Sequence, residues 1–177
     1  MTPPPILITI TKLEMKARPA TLRPHLRHDQ DGGRLMLLKA RRIPVHFYRY
    51  LYDTVGREHV WVERRRMSDD TLAAIVQDER VEIFVLYCDG APAGYFELDL
   101  RGPPDAELSY FGLIADFIGR GLGGFLLATA IETAWSKPIE RLWVHTNTLD
   151  HPRALPLYQK MGFVPYAQEK AEIVPID

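Results

Sequence analysis

Apolar positions along this chain follow two rhythms. Ile6 to Ile10 is a short β-favourable run. Residues 14 to 34 are charged and punctuated by Pro19, Pro24, Gly32 and Gly33 with no hydrophobic period, so they read as a linker. Leu35 to Ala40 reads as a strand, and Pro44 at the head of the next segment suits a helix start. There Phe47, Tyr50, Leu51 and Val55 recur at helical spacing, with Tyr48 and Tyr52 on a neighbouring face. Ser68 or Asp69 can cap a second short helix, whose apolar stripe is Leu72, Ala73 and Val76.

From Val81 the period changes. Val81 to Cys88 is rich in β-branched and aromatic residues, Asp89-Gly90 is a hairpin signal, and Gly94 to Leu100 continues as a strand. Pro103-Pro104-Asp105 interrupts the chain before another strand, Glu107 to Ile114. A glycine cluster then opens a helix with Leu122, Phe125, Leu126 and Ala130 on one face, and Pro138 ends it. Arg141 to Thr146 reads as a strand, Ala154, Leu157, Tyr158 and Met161 fit a helix, and Phe163 to Ile173 is a last strand or hairpin arm. This order predicts a mixed α/β (α+β) fold rather than an alternating parallel one. One domain is expected, with residues 1–34 as an N-terminal strand and linker packed on a domain spanning 35–177.

Composition narrows the function classes. Lys and Arg number 22 against 23 Asp and Glu in 177 residues, so the chain lacks the basic excess that favours nucleic acid or membrane surfaces. The single cysteine, Cys88, has no partner for a disulfide and no metal-ligand spacing around it, which suits a reducing cytoplasm. No run approaches the ~20 apolar residues of a membrane span, and the N-terminus has no basic region of a secretory signal. The six histidines are scattered without a His-Glu-x-x-His, so no metal is expected.

The segment Ile118-Gly119-Arg120-Gly121-Leu122-Gly123-Gly124 lies between a strand and a helix. Glycines there let a ligand approach the backbone, and the helix start offers N–H groups to phosphate. A tight, closely packed turn is the plain alternative. A nucleotide P-loop is excluded because no Gly-Lys-Ser/Thr follows. Gly119, Gly121 and Gly124 satisfy the dinucleotide pattern Gly-x-Gly-x-x-Gly, but Val144, His145 and Thr146 fill the place of its acidic residue.

The loop resembles that of the GNAT superfamily of N-acetyltransferases, Gln/Arg-x-x-Gly-x-Gly/Ala, with Gly121 and Gly123 in the glycine positions and Ile118 in place of the usual Gln or Arg. Ala154-Leu-Pro-Leu-Tyr158-Gln-Lys-Met-Gly162-Phe163 is similar to the family's Ala-x-x-x-Tyr-x-x-x-Gly-Phe, and follows a helix and a strand later. The resemblance implies a central mixed, mostly antiparallel sheet flanked by about four helices. It also implies acetyl-CoA as cosubstrate, a small-molecule or protein amine as acceptor, no nucleic-acid or membrane partner, and room for a homodimer. A non-catalytic acyl-CoA-binding module is the alternative.

The same resemblance assigns roles. Leu113, Ile114, Ala115 and the loop from Ile118 through Gly119, Arg120, Gly121, Leu122 and Gly123 to Gly124 would hold the cosubstrate. The amide of Leu113 would face the thioester carbonyl, and Arg120 would add charge. Asn147, Asp150 and His151 compete for the pantetheine arm, next to Ala154. Tyr158 would protonate the leaving thiolate, its phenol being neutral at pH 7. Glu107 would be the general base, with Glu97 and His145 in reserve. A glutamate near 4.3 needs a raised pKa or a water relay to serve an amine near 10. His46, Tyr48, Tyr52 and Trp61 would line the acceptor pocket, and Arg64, Arg65 and Arg66 would attract a carboxylate. Packing in a core, for the aromatics, and a solvated face, for the charges, are the plain alternatives. Pro156 removes a helical donor, so its helix is expected to kink or start late.

Overall fold

The computed structural model describes residues 3–22 and 28–176; Pro24 of the expected linker and the start at Met1 and Thr2 lie outside them. In chain order the elements are β1 (Ile6–Met15), β2 (Leu35–Lys39), α1 (Val45–Gly56), α2 (Asp69–Val76), β3 (Val81–Cys88), β4 (Ala91–Asp99), β5 (Asp105–Leu113), α3 (Leu122–Trp135), β6 (Arg141–Asn147), α4 (Ala154–Lys160) and β7 (Val164–Ile173). The strands form one seven-stranded sheet in the order β2-β3-β4-β5-β6-β1-β7. Every neighbouring pair is antiparallel except β5 and β6.

The sheet is covered on both faces, which is why its central strands read as apolar runs without clean alternation. On one face Phe96, Leu98 and Leu108 pack against α3 through Leu126, Leu127 and Ile131. On the other, Ile83, Val85 and Tyr95 meet α1 and α2 through Leu51, Leu72 and Val76. The α2 cap is Ser68, whose hydroxyl accepts from the Thr71 amide.

Three expectations change. The linker begins later than residue 14, because Glu14 and Met15 extend β1 and pair with Trp143 and Leu142. The buried stripe of α1 is Tyr48, Leu51, Tyr52 and Val55, an i, i+3, i+4, i+7 set, while Tyr50 is exposed. Pro156 neither kinks nor delays α4. It falls in the first turn, where an N–H would have no intrahelical acceptor.

Burial of Tyr48 has a polar reason. Its hydroxyl donates to Glu97 Oε2 at 2.5 Å, and Arg64 Nη2 donates to Glu97 Oε1 at 2.7 Å. Glu97 is fully buried on β4. Burial raises its carboxyl above the ordinary range, against the opposing pull of the Arg64 charge and the Tyr48 hydroxyl. Removing one partner strands the other, so Arg64→Met should lower the unfolding free energy by about 3–5 kcal/mol in urea titrations at neutral pH. Burial without Arg64 raises the Glu97 carboxyl further, so the deficit relative to wild type should be smallest below the ordinary carboxylate pKa and grow as pH rises through the folded value. A deficit independent of pH would contradict this account.

Candidate active site

The parallel pairing of β5 with β6 covers three positions, Asp105↔Arg141, Ala106↔Leu142 and Glu107↔Trp143. Beyond them β5 runs on to Leu113 and β6 to Asn147 with no ladder between them. A cavity of about 650 Å³ opens in this gap. Its walls are β5 from Leu108 to Leu113, the glycine loop, Val144 and His145 of β6, and Tyr158 of α4.

At the loop, Gly119 and Gly121 have φ of +86° and +77°, a region L side chains resist. Gly121 is the N-cap of α3 and no side chain caps this helix. The amides of Gly121, Leu122, Gly123 and Gly124 find no acceptor among the described residues. A helix start left open in this way suits an anion. Ile118, Gly119, Gly121, Leu122, Gly123 and Gly124 line the cavity, as does Leu113.

Arg120 does not. Its Nη1 lies 3.3 Å from Asp29 Oδ2 and its Nε 3.7 Å from Asp31, with the guanidinium over the Phe117 ring. Asp29 is buried, and its carboxylate also accepts from the Gly33 and Asp31 amides. The charge expected for a phosphate is therefore taken up inside the protein. Ile114 and Ala115 also stand outside the cavity: Ile114 is buried in the core under α1, and Ala115 opens a short 3-10 turn.

Tyr158 is 5% exposed and lines the cavity, its ring wedged between Phe111 and Phe163. Its hydroxyl has no hydrogen-bond partner among the described residues. Burial, with the Asp150 charge as a lesser cause, pushes its pKa well above the ordinary phenol value, so it carries its proton throughout the working range.

Glu107 does not reach the cavity wall. Its Oε1 instead lies 3.5 Å from Nδ1 of His145, which does line the cavity. The Glu107 hydrogen bond outweighs burial and raises the His145 pKa. The carboxylate thus acts on the cavity through an imidazole, whose Nε2 is left for a ligand. Glu97 is sealed against Arg64 and Tyr48.

Asn147, Asp150, His151 and Ala154 all line the cavity, but the polar ones brace their own loop. Asp150 accepts from Trp61 Nε1 at 3.1 Å, Thr146 Oγ1 at 2.8 Å and the Asn147 amide at 2.9 Å. Asn147 Oδ1 accepts from the Leu149 amide, and His151 Nδ1 from the Arg153 amide. At the far end Tyr52 and Trp61 line the cavity together with Tyr110. His46 and Tyr48 do not: His46 is exposed near the start of α1, and Tyr48 is turned into the core. Of the three arginines only Arg66 lines the cavity; it donates to the Val174 carbonyl.

Sequence reasoning missed Tyr110, Glu63, Gln30 and Glu172, which also line the cavity. Tyr110 was within reach, since it stands three residues before Leu113 on the same strand; its hydroxyl donates to Glu63 at 2.7 Å. Gln30 and Glu172 arrive from the two ends of the chain, and no local pattern marks them.

A family model described as the acetyltransferase (GNAT) family matches residues 48–163. The chain belongs to the GNAT acetyltransferase family. A search of curated proteins finds no match to it. Among solved structures, this GNAT chain is similar to a conserved protein of unknown function from Staphylococcus epidermidis, at 16% identity over 97% of this chain and 62% of that one, TM-score 0.67. It is also similar to a GCN5-related N-acetyltransferase from Kribbella flavida, at 14% identity over 95% of this chain and 60% of that one, TM-score 0.61. A third is the ribosomal-protein-S18-alanine N-acetyltransferase from Escherichia coli, at 20% identity over 75% of this chain and 79% of that one, TM-score 0.61. The GNAT chain therefore spans less than two thirds of the length of the first two. At these identities the likeness is one of fold.

The His145–Glu107 contact is testable without any substrate. In an NMR titration His145 should lose its proton above the ordinary value of 6.5, and Glu107→Gln should bring that midpoint down. A midpoint that ignores the substitution would separate the two residues.

Proposed function

We propose that the protein is an N-acetyltransferase that moves the acetyl group of acetyl-CoA to a primary amine of a small molecule, an amino acid or a protein. What supports this reading most directly is the open α3 start at one end of the cavity and the partnerless Tyr158 hydroxyl along the same wall. The four free amides from Gly121 to Gly124 fit a diphosphate, and the gap between β5 and β6 fits the pantetheine arm. The lone buried Cys88 suits a reducing compartment such as the cytoplasm. No helix among the described residues is long and apolar enough to cross a membrane.

In this reading His145 is the general base. Glu107 holds Nδ1, so the neutral ring presents an Nε2 lone pair that takes a proton from the ammonium, either directly or through water. An imidazole raised above 6.5 lies nearer to an amine at about 10 than a carboxylate at about 4.3 does, which shrinks the uphill part of the transfer. The freed nitrogen attacks the thioester carbon and the carbonyl oxygen gains the charge, which the Leu113 amide stabilises. The C–S bond then breaks. The Tyr158 hydroxyl gives its proton to the sulfur as it leaves, forming the thiol, and regains one from the proton that the attacking nitrogen sheds as it becomes an amide. The acceptor enters past Tyr52, Trp61 and Tyr110, where Glu63 and Glu172 offer carboxylates to a cationic group.

Incubation with acetyl-CoA and a panel of amines, with free thiol followed over time, is the direct test; absence of CoA binding would rule the reading out. Tyr158→Phe should lower kcat roughly a hundredfold or more while CoA still binds. A protein that only binds acyl-CoA would release no thiol before or after that change. The kcat/KM profile should rise with pH through the elevated His145 pKa, since the base works only when neutral, and Glu107→Gln should move that limb to lower pH and lower the plateau.

A further inference from the structure

Residues 28–34 precede the stretch that matches the family model, yet they pack on the glycine loop. The Gln30 amide donates to the Arg120 carbonyl at 3.3 Å, and on either side Asp29 and Asp31 hold the Arg120 guanidinium. The turn is also fixed internally: the Gly32 amide donates to the Asp29 carbonyl, and the Gly33 amide to the Asp29 carboxylate. Gln30 is thereby tied at its backbone to the residue before the α3 cap.

Its side chain lies over that cap. A Cβ added to Gly121 would come within 2.8 Å of Gln30 Nε2 and 3.1 Å of its Cδ, so the carboxamide occupies the space above the glycine. Gln30 and Gly121 line the same cavity, and the Gln30 carboxamide has no hydrogen-bond partner among the described residues. Two neighbouring residues offer nothing polar there: Ile118 brings an aliphatic side chain, and the charge of Arg120 is spent on Asp29 and Asp31.

We propose that Gln30 is a cosubstrate-binding residue whose carboxamide N–H donates to the diphosphate of acyl-CoA seated on the amides of Gly121 to Gly124. The inference rests on the acyl-CoA reading above. Residues 28–34 are then part of the binding site, and a neutral donor stands where Ile118 offers only an aliphatic side chain. Because the turn is already fixed in the free protein, little ordering is left to oppose the contact.

The test compares CoA with pantetheine, which lacks the phosphates, by calorimetry on the wild type, Gln30→Ala and Gln30→Glu. Gln30 is exposed, so all three proteins should melt together. The CoA dissociation constant should rise about tenfold in Gln30→Ala, the worth of one hydrogen bond to a charged group. It should rise further in Gln30→Glu, where a carboxylate faces the phosphates. Pantetheine binding should not change, and in turnover the KM for acetyl-CoA should rise with kcat preserved. CoA affinity equal in all three proteins, or pantetheine affinity falling in step with that of CoA, overturns the role of Gln30. A wild type that binds no CoA sinks the acyl-CoA reading itself, a result distinct from one in which every variant binds alike.

Discussion

The short parallel ladder between β5 and β6 is the constraint on which the site depends. A strand in a sheet must satisfy its backbone on both sides, and β5 does so toward β4 along nearly its whole length. Toward β6 it stops at Glu107, so the edge from Leu108 to Leu113 faces a gap. Antiparallel neighbours on either side hold the two strands apart, which makes the opening a fixed feature of the sheet. The same separation lets α3 begin at the mouth of the gap and α4 bring Tyr158 along its wall.

The electrostatics of the site are largely neutral. Arg120 is consumed by Asp29 and Asp31, and Arg64 by Glu97, so two of the nearest cations serve the fold. At the glycine loop itself, what remains toward an anion is a set of oriented amide dipoles, whose positions are set by backbone geometry, while Arg66 and Arg153 line the cavity elsewhere. The titrating chemistry gathers instead on β6 and β5, where Glu107 and His145 sit on adjacent strands. The ionisable Glu107–His145 pair and the oriented amides of the α3 start thus lie on separate elements.

Much of this was legible in the amino-acid order. The meander, the glycine-opened helix and the Tyr158 helix declared themselves through period changes, turn dipeptides and two spaced motifs. The side-chain assignments fared unevenly for physical reasons. Tyr48 and Tyr52 look alike in sequence, and only the buried Glu97 decides that Tyr48 turns inward while Tyr52 reaches the cavity. Arg120 reads as a phosphate ligand until Asp29, ninety-one positions away, is brought against it. Glu107 reads as a carboxylate standing alone at its strand until the fold brings His145 Nδ1 within 3.5 Å of it.

The position of β1 has a consequence for how the molecule is made. This strand lies inside the sheet, with β6 on one side and β7 on the other, pairing Met15 with Leu142 and Ile6 with Ile173. Its partners, β6 and β7, lie more than a hundred residues further along the chain. The meander and its helices can collapse early, but β1 must wait, with both edges open, until β6 and β7 have been made. Contacts this distant in the chain slow folding, and an unpaired apolar strand invites association with other chains in the interval.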